Sequence, residues 1–145
     1  MKIFLKTEDE INLMRKANQL VGLTLAELGK HIKPGVTTLH LDRIAEEFIR
    51  DHGAIPTFKN FPNPYGESFP ASICTSINDV VVHGIPSDND VLDDGDIISI
   101  DCGTLLDGYN GDSCYTFAVG DISDQKRKLL EVTKKSLFLG IEQAV

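Results

Sequence analysis

The sequence has no excess of basic residues. Its 14 lysines and arginines stand against 22 aspartates and glutamates, a net charge of −8, which argues against independent binding to nucleic acid or to acidic membranes. No apolar run is long enough to cross a bilayer. The opening MKIFLKTEDEINLMRK lacks the long apolar stretch of a secretion signal and turns acidic at once. The three cysteines, Cys74, Cys102 and Cys114, show neither CxxC spacing nor an even count. Reduced thiols in a cytoplasmic protein are the simplest expectation. There is no internal repeat and no low-complexity linker. A chain of 145 residues is long enough for one domain with a real core.

Three helices are expected. Thr7-Glu8-Asp9-Glu10 is a capping box, after which Ile11, Met14, Ala17, Val21, Leu25, Leu28 and Ile32 recur at helical spacing, with Lys33-Pro34-Gly35 as the stop. A second helix begins near Thr38, carries Leu41, Ile44, Ala45 and Phe48 on one face, and stops at Gly53. Residues 54–70 hold four prolines and form a long loop, a length that often marks function. SICTSINDVVVHGIP is extended, with a turn at Asn78-Asp79. A last helix starts at Ser123-Asp124, with Leu129, Leu130, Val132, Leu137, Ile141 and Val145 as its apolar residues. It runs to GIEQAV without a cap, an ending that fits a natural domain end and a shortened chain equally well.

Chemistry concentrates in IDCGTLLDGYNGDSCYTF, residues 100–117. Aspartate has poor strand propensity and is costly to bury alone, yet two strand-like runs here carry Asp101 and Asp112. Asp107-Gly108 between them suits a two-residue type I′ turn, whose central residues both need positive φ. A hairpin centred there pairs residue i with residue 215 − i. Asp101 then faces Cys114, Asp112 faces Gly103, and the two aspartates are diagonal neighbours on one face. That face also carries Ser99, Leu105, Asn110 and Thr116. The other, with Ile98, Ile100, Cys102, Thr104, Leu106, Tyr109, Tyr115, Phe117 and Val119, is the core face. A solvated sheet face with two unengaged acids fits this pattern. Against it, close carboxylates repel unless a proton or a cation joins them, and small Gly103 and Cys114 leave room above the ribbon. Converging hard oxygens suit Mn²⁺, Fe²⁺, Co²⁺ or Zn²⁺.

The segment SICTSINDVVVHGIP followed by LDDGDIISIDCGTLLDGYNGDSCYTFAVG, together with KPGVTT and the preceding helices, resembles the first half of the type I methionine aminopeptidases. The resemblance implies an α+β pita-bread fold, with a curved antiparallel sheet inside and helices outside. Residues 1–145 would be a single catalytic-domain fragment, the amino-terminal half, with a histidine, two glutamates and a further substrate-side histidine supplied by the second half. It implies two divalent metal ions (Co, Mn, Fe or Zn), Asp101 binding one and Asp112 bridging both. His83, which pattern alone would leave as a structural residue, would hydrogen-bond the substrate. Phe69 and Cys74, otherwise readable as core packing, would line the methionine pocket. In the loop 61–68 Gly66 stands where an aromatic residue is expected, and Tyr65 would substitute for it. The implied reaction is hydrolysis of the Met–X bond at the amino terminus of peptides and nascent chains. Alternatives are a prolidase-like or aminopeptidase P-like metallopeptidase, a non-catalytic peptide-binding module of the same fold, or a cysteine hydrolase using Cys102 or Cys114 with His83. His31, His40 and His52, on or beside helices, are poor ligands.

Overall fold

A computed structural model describes residues 4–64 and 66–144. Helix α1 spans Glu8–Gly29, and its start is the capping box: the Thr7 side chain accepts from Glu10 N while Glu10 accepts from Thr7 N at 2.7 Å. The helix ends at Gly29, short of the expected Lys33-Pro34-Gly35 stop; His31 and Ile32 follow in the turn that leads to Gly35. Helix α2, Thr38–Asp51, is capped by Thr37 and closed by Gly53 at φ +74. Its buried side chains are Thr38, Leu41, Asp42, Ala45 and Ile49. Ile44 and Phe48 pack at the margin.

The long loop after α2 contains one short strand that the prolines conceal, β1 at Ile55–Pro56. Strand β2 is Ile73–Ile77, with the expected turn at Asn78-Asp79. Strands β3, Ile97–Leu106, and β4, Tyr109–Ala118, form the hairpin. Asp107 and Gly108 have φ of 51 and 82, the positive values a type I′ turn demands. The register follows the sum of 215 throughout, from Leu106–Tyr109 to Ile97–Ala118. β3 is the central strand. β1 and β2 lie end to end along one edge, all pairs antiparallel, and β4 takes the other.

Helix α1 lies along the core face of the hairpin. Tyr109 Oη donates to Glu10 at one end, Thr104 Oγ1 donates to Ala17 O in the middle, and the Phe117 ring touches Gly29 at the other. Gly111 is what lets the helix approach: a Cβ there would stand 2.5 Å from the Ala17 carbonyl. The core between them is formed by Leu20, Val21, Leu28, Leu41, Ile49, Ile73, Ile98, Ile100 and Cys102. Helix α3, Asp124–Ile141, begins at the expected Ser123 cap but buries none of its residues. Among the described residues no helix is long and apolar enough to cross a membrane.

Candidate metal centre

Register alone places a polar row across three strands. Cys74 of β2 pairs with Asp101 of β3, which pairs with Cys114 of β4. Paired residues project to the same side of a sheet, so all three share the face opposite α1. One step along, Gly103 pairs with Asp112. Gly103 O accepts from Thr57 N on the far side, and Asp112 N donates to Asn18 Oδ1 rather than to β3. That pair therefore lacks direct ladder bonds and brings its Cα atoms close, about 4.5 Å in typical sheets. Asp101 and Asp112 converge as diagonal neighbours, and their carboxyls lie within hydrogen-bonding reach of each other.

Electrostatics register this closeness. Burial raises the Asp101 carboxyl above the usual aspartate range, and the Asp112 carboxylate raises it further; a hydrogen bond from the Cys102 N–H and the field of His83 oppose the rise. A proton shared between two carboxyls occupies the place that a cation can take. The donor set fits a hard divalent ion in kind, but covers only part of a coordination shell. Among the described residues no group of three or more histidine, cysteine, aspartate or glutamate side chains is close enough to hold a metal.

His83 is exposed on the segment that runs back along β2. Its backbone is left-handed, φ 59, an uncommon state for a non-glycine residue and one found disproportionately at functional sites. The next residue is clamped. Gly84 O accepts from Thr75 N at 2.8 Å, and Gly84 N reaches Ser76 Oγ at 3.3 Å. A Cβ on Gly84 would sit 2.0 Å from Thr75 O. The clamp fixes the backbone on which His83 stands beside β2.

Cys74 is buried on the carboxylate face, and its thiol is pushed up to about 12 by burial and then by Asp101. Cys102 points into the core, also pushed up to about 12 by burial, and Cys114 is exposed beside the aspartates with its thiol raised. All three are free, and Cys102 and Cys114 lie on opposite faces. Phe69 is half-buried in a proline-rich cavity with Phe61, Pro62, Pro64, Pro70 and Ile85. Tyr65 lies outside the described residues. His31, His40 and His52 stand at or within α1 and α2, away from the sheet face.

One expectation is corrected. The space above Gly103 is filled: a Cβ there would meet Thr57 Oγ1 at 2.3 Å and the Phe58 ring at 2.7 Å. Thr57 and Phe58 therefore wall the carboxylate face beside Asp112, and spacing along the chain gave them no prominence. The signal was Gly103 itself, a residue that weakens a strand unless something must approach it closely.

The sheet face thus carries paired aspartates, is backed by α1 and α2, and is flanked by a histidine with a left-handed backbone. The profile of metallopeptidase family M24 matches residues 12–145, and the chain belongs to that family. Within it, the chain is 57% identical over 143 residues to the methionine aminopeptidase of Clostridium acetobutylicum, covering 99% of this chain and 55% of the relative. The crystal structure of methionine aminopeptidase from Rickettsia prowazekii superimposes with a TM-score of 0.87 at 42% identity, over 94% of this chain and 53% of that one. A Glu383Ala variant of Escherichia coli aminopeptidase P shares the fold, with a TM-score of 0.72 at 22% identity over 91% of this chain and 28% of its own. The architecture is thus the α+β pita-bread fold, and the chain spans about half the length of the curated relatives it matches.

Proposed function

We propose that this chain supplies the aspartate wall of a methionine aminopeptidase centre, which releases the amino-terminal methionine of peptides and nascent chains by hydrolysis of the Met–X bond. The observation that carries the proposal is the convergence of Asp101 and Asp112 on one face of the β3–β4 hairpin, with His83 clamped beside it. The similarity to methionine aminopeptidases, at 42–57% identity, supports this substrate over the proline-directed members of the fold.

Asp101 and Asp112 would hold the metal, a pair of divalent ions of the Co, Mn, Fe or Zn kind. When bound, such ions lower the pKa of a coordinated water and polarise the scissile carbonyl. The protein groups do the rest. His83 reaches over the carboxylate face to hydrogen-bond the peptide, and its backbone needs no reorganisation to do so because Gly84 is pinned to β2. Cys74 presents a neutral sulfur, since a thiol pushed up to about 12 stays protonated at neutral pH, and so would serve, with Phe69, as an apolar wall for the methionine side chain. The same chemistry disfavours a cysteine hydrolase: the nucleophile would have to be a thiolate, and all three thiols are raised. Two carboxylates are an incomplete shell, so the 145 residues alone are expected to release no methionine.

The test uses a polypeptide carrying this sequence and extended to the length of its relatives. Methionine release from a Met-Ala peptide is expected to require added Co²⁺ or Mn²⁺ and to be abolished in Asp112→Ala. His83→Ala should lower the rate by about 10²–10³, as for a well-placed donor. Wild-type turnover by metal-replete Asp112→Ala would overturn the metal role. Absence of turnover with any of the four metals would favour a binding module.

A further inference from the structure

The segment that joins α2 to β2 carries Phe58, which walls the carboxylate face, and Phe69, and both of its ends are tied to α2. At the first end Thr57 N donates to Gly103 O at 3.1 Å, and the Phe58 ring lies over Gly103, the strand partner of Asp112. The next residue, Lys59, pairs with Glu46 of α2. At the other end Asp42, one helical turn before Glu46, accepts the Ser72 and Ile73 amides. Between the ends the loop closes on itself. Asn60 N donates to Phe69 O at 2.8 Å and Phe69 N to Phe61 O at 3.1 Å. Asn60 makes the corner with a left-handed backbone, φ 64, a state that persists where its surroundings hold it.

Glu46 and Lys59 are more than an open surface pair. Their side chains are 24% and 31% exposed, and solvent screens a partly buried pair less. Arg50 holds the other oxygen of Glu46, with Nε at 3.0 Å and Nη2 at 2.9 Å from Oε1, which turns Oε2 to Lys59. The hydrogen bond from Lys59 keeps the Glu46 carboxyl below its ordinary range, so both partners are charged at neutral pH. Ordering a loop at the moment of binding subtracts from affinity, and a loop already tied down escapes that cost.

We propose that Glu46 and Lys59 are positioning residues for the methionine pocket: Arg50 orients Glu46, Glu46 holds Lys59, and Lys59 fixes Phe58 against the Asp112 side of the carboxylate face. The proposal rests on the methionine aminopeptidase reading above and adds to it the device that shapes the pocket wall. Neither residue reaches the reacting atoms. Loss of the pair should therefore weaken binding of the first side chain and leave the chemical step alone.

The test uses the polypeptide extended to the length of its relatives, with Glu46→Gln, Lys59→Met, which keeps the apolar stem, and the double variant. Amide hydrogen exchange reads the anchoring without turnover. Asn60, Phe61 and Phe69 should exchange several-fold faster in each variant, with the β3–β4 hairpin unchanged. For a Met-Ala-Ser peptide KM should rise about two- to fivefold, the span of measured ion pairs, with kcat within about twofold of wild type. Preference for Met-Ala-Ser over Leu-Ala-Ser should fall, and the double variant should match the singles, because either change breaks the same contact. A purely structural pair would lower stability and kcat and leave KM and the preference in place, which would overturn the proposal. Unchanged exchange at Asn60, Phe61 and Phe69 would overturn it as well, and so would additive effects in the double variant. A wild type that releases no methionine would overturn the peptidase reading and the pocket role with it; faster exchange in the variants would then mark that failure as distinct from a missing anchor.

Discussion

Among the described residues, Asp42 is the one carboxylate buried in the interior. It sits in α2, 5% exposed, and its Oδ1 accepts the N–H groups of Ser72 at 2.8 Å and Ile73 at 3.0 Å. Those amides open β2, so Asp42 fixes the strand that lays Cys74 beside Asp101. Burial raises its carboxyl above the ordinary value, and Glu46 adds slightly; the two N–H groups and Lys59 oppose without prevailing. A folded value above the unfolded one means that the native state holds this proton more tightly. The contribution to stability is therefore fully present below the unfolded value, about 3.9, and is lost as pH rises through the raised folded value. Asp42→Asn should show a smaller fall in unfolding free energy than wild type between acid and neutral pH, measured by urea titration. Equal falls in the two proteins would mean that Asp42 carries no such cost.

At the scale of elements, glycines decide how closely α1 approaches the hairpin. Gly111→Ala places a methyl against the Ala17 carbonyl and the Asn18 nitrogen. Backbone on both sides cannot yield, so a loss of about 1–3 kcal/mol is expected. Gly22→Ala, on the open side of α1 with nothing within 4 Å, should instead gain about 0.5–1 kcal/mol from helix propensity. Chemical denaturation of both variants checks the pair, and equal signs would refute the packing. The hairpin was legible in the sequence because its determinants are local: Asp107-Gly108 sets the turn, the turn sets the register, and the register puts Asp101 and Asp112 on one face. The starts of α1 and α3 were legible for the same reason, Thr7 and Ser123 being local caps, while the start of α2 was placed near Thr38 without its Thr37 cap being singled out. Thr57 and Phe58 over Gly103 were not, since that contact joins segments more than 40 residues apart and leaves no periodicity. The end of α1 was misplaced because Ile32 continues the apolar spacing past Gly29, where the helical hydrogen bonding has already given way to a turn. The apolar residues of α3 were legible as part of a helix, Val145 lying outside the described residues, but the sequence is silent on what they meet.

For the whole molecule, the central claim is that the sheet face carrying Cys74, Asp101 and Asp112 is one side of a divalent-metal centre. The chain has another acidic concentration, Asp88, Asp90, Asp93, Asp94 and Asp96, which pattern alone could offer to a cation. Several of those carboxylates are engaged: Asp96 accepts from Asn78 and from Asp93 N, and Asp94 caps Asp121 N. Mn²⁺ titration of the ¹⁵N-labelled chain distinguishes the two places without depending on turnover, because even weak occupancy broadens nearby amide signals. Broadening should centre on residues 99–103 and 110–114 and extend to His83, and it should vanish from those segments in Asp112→Asn. Broadening that centres on residues 88–96, or that is unchanged in Asp112→Asn, would contradict the account.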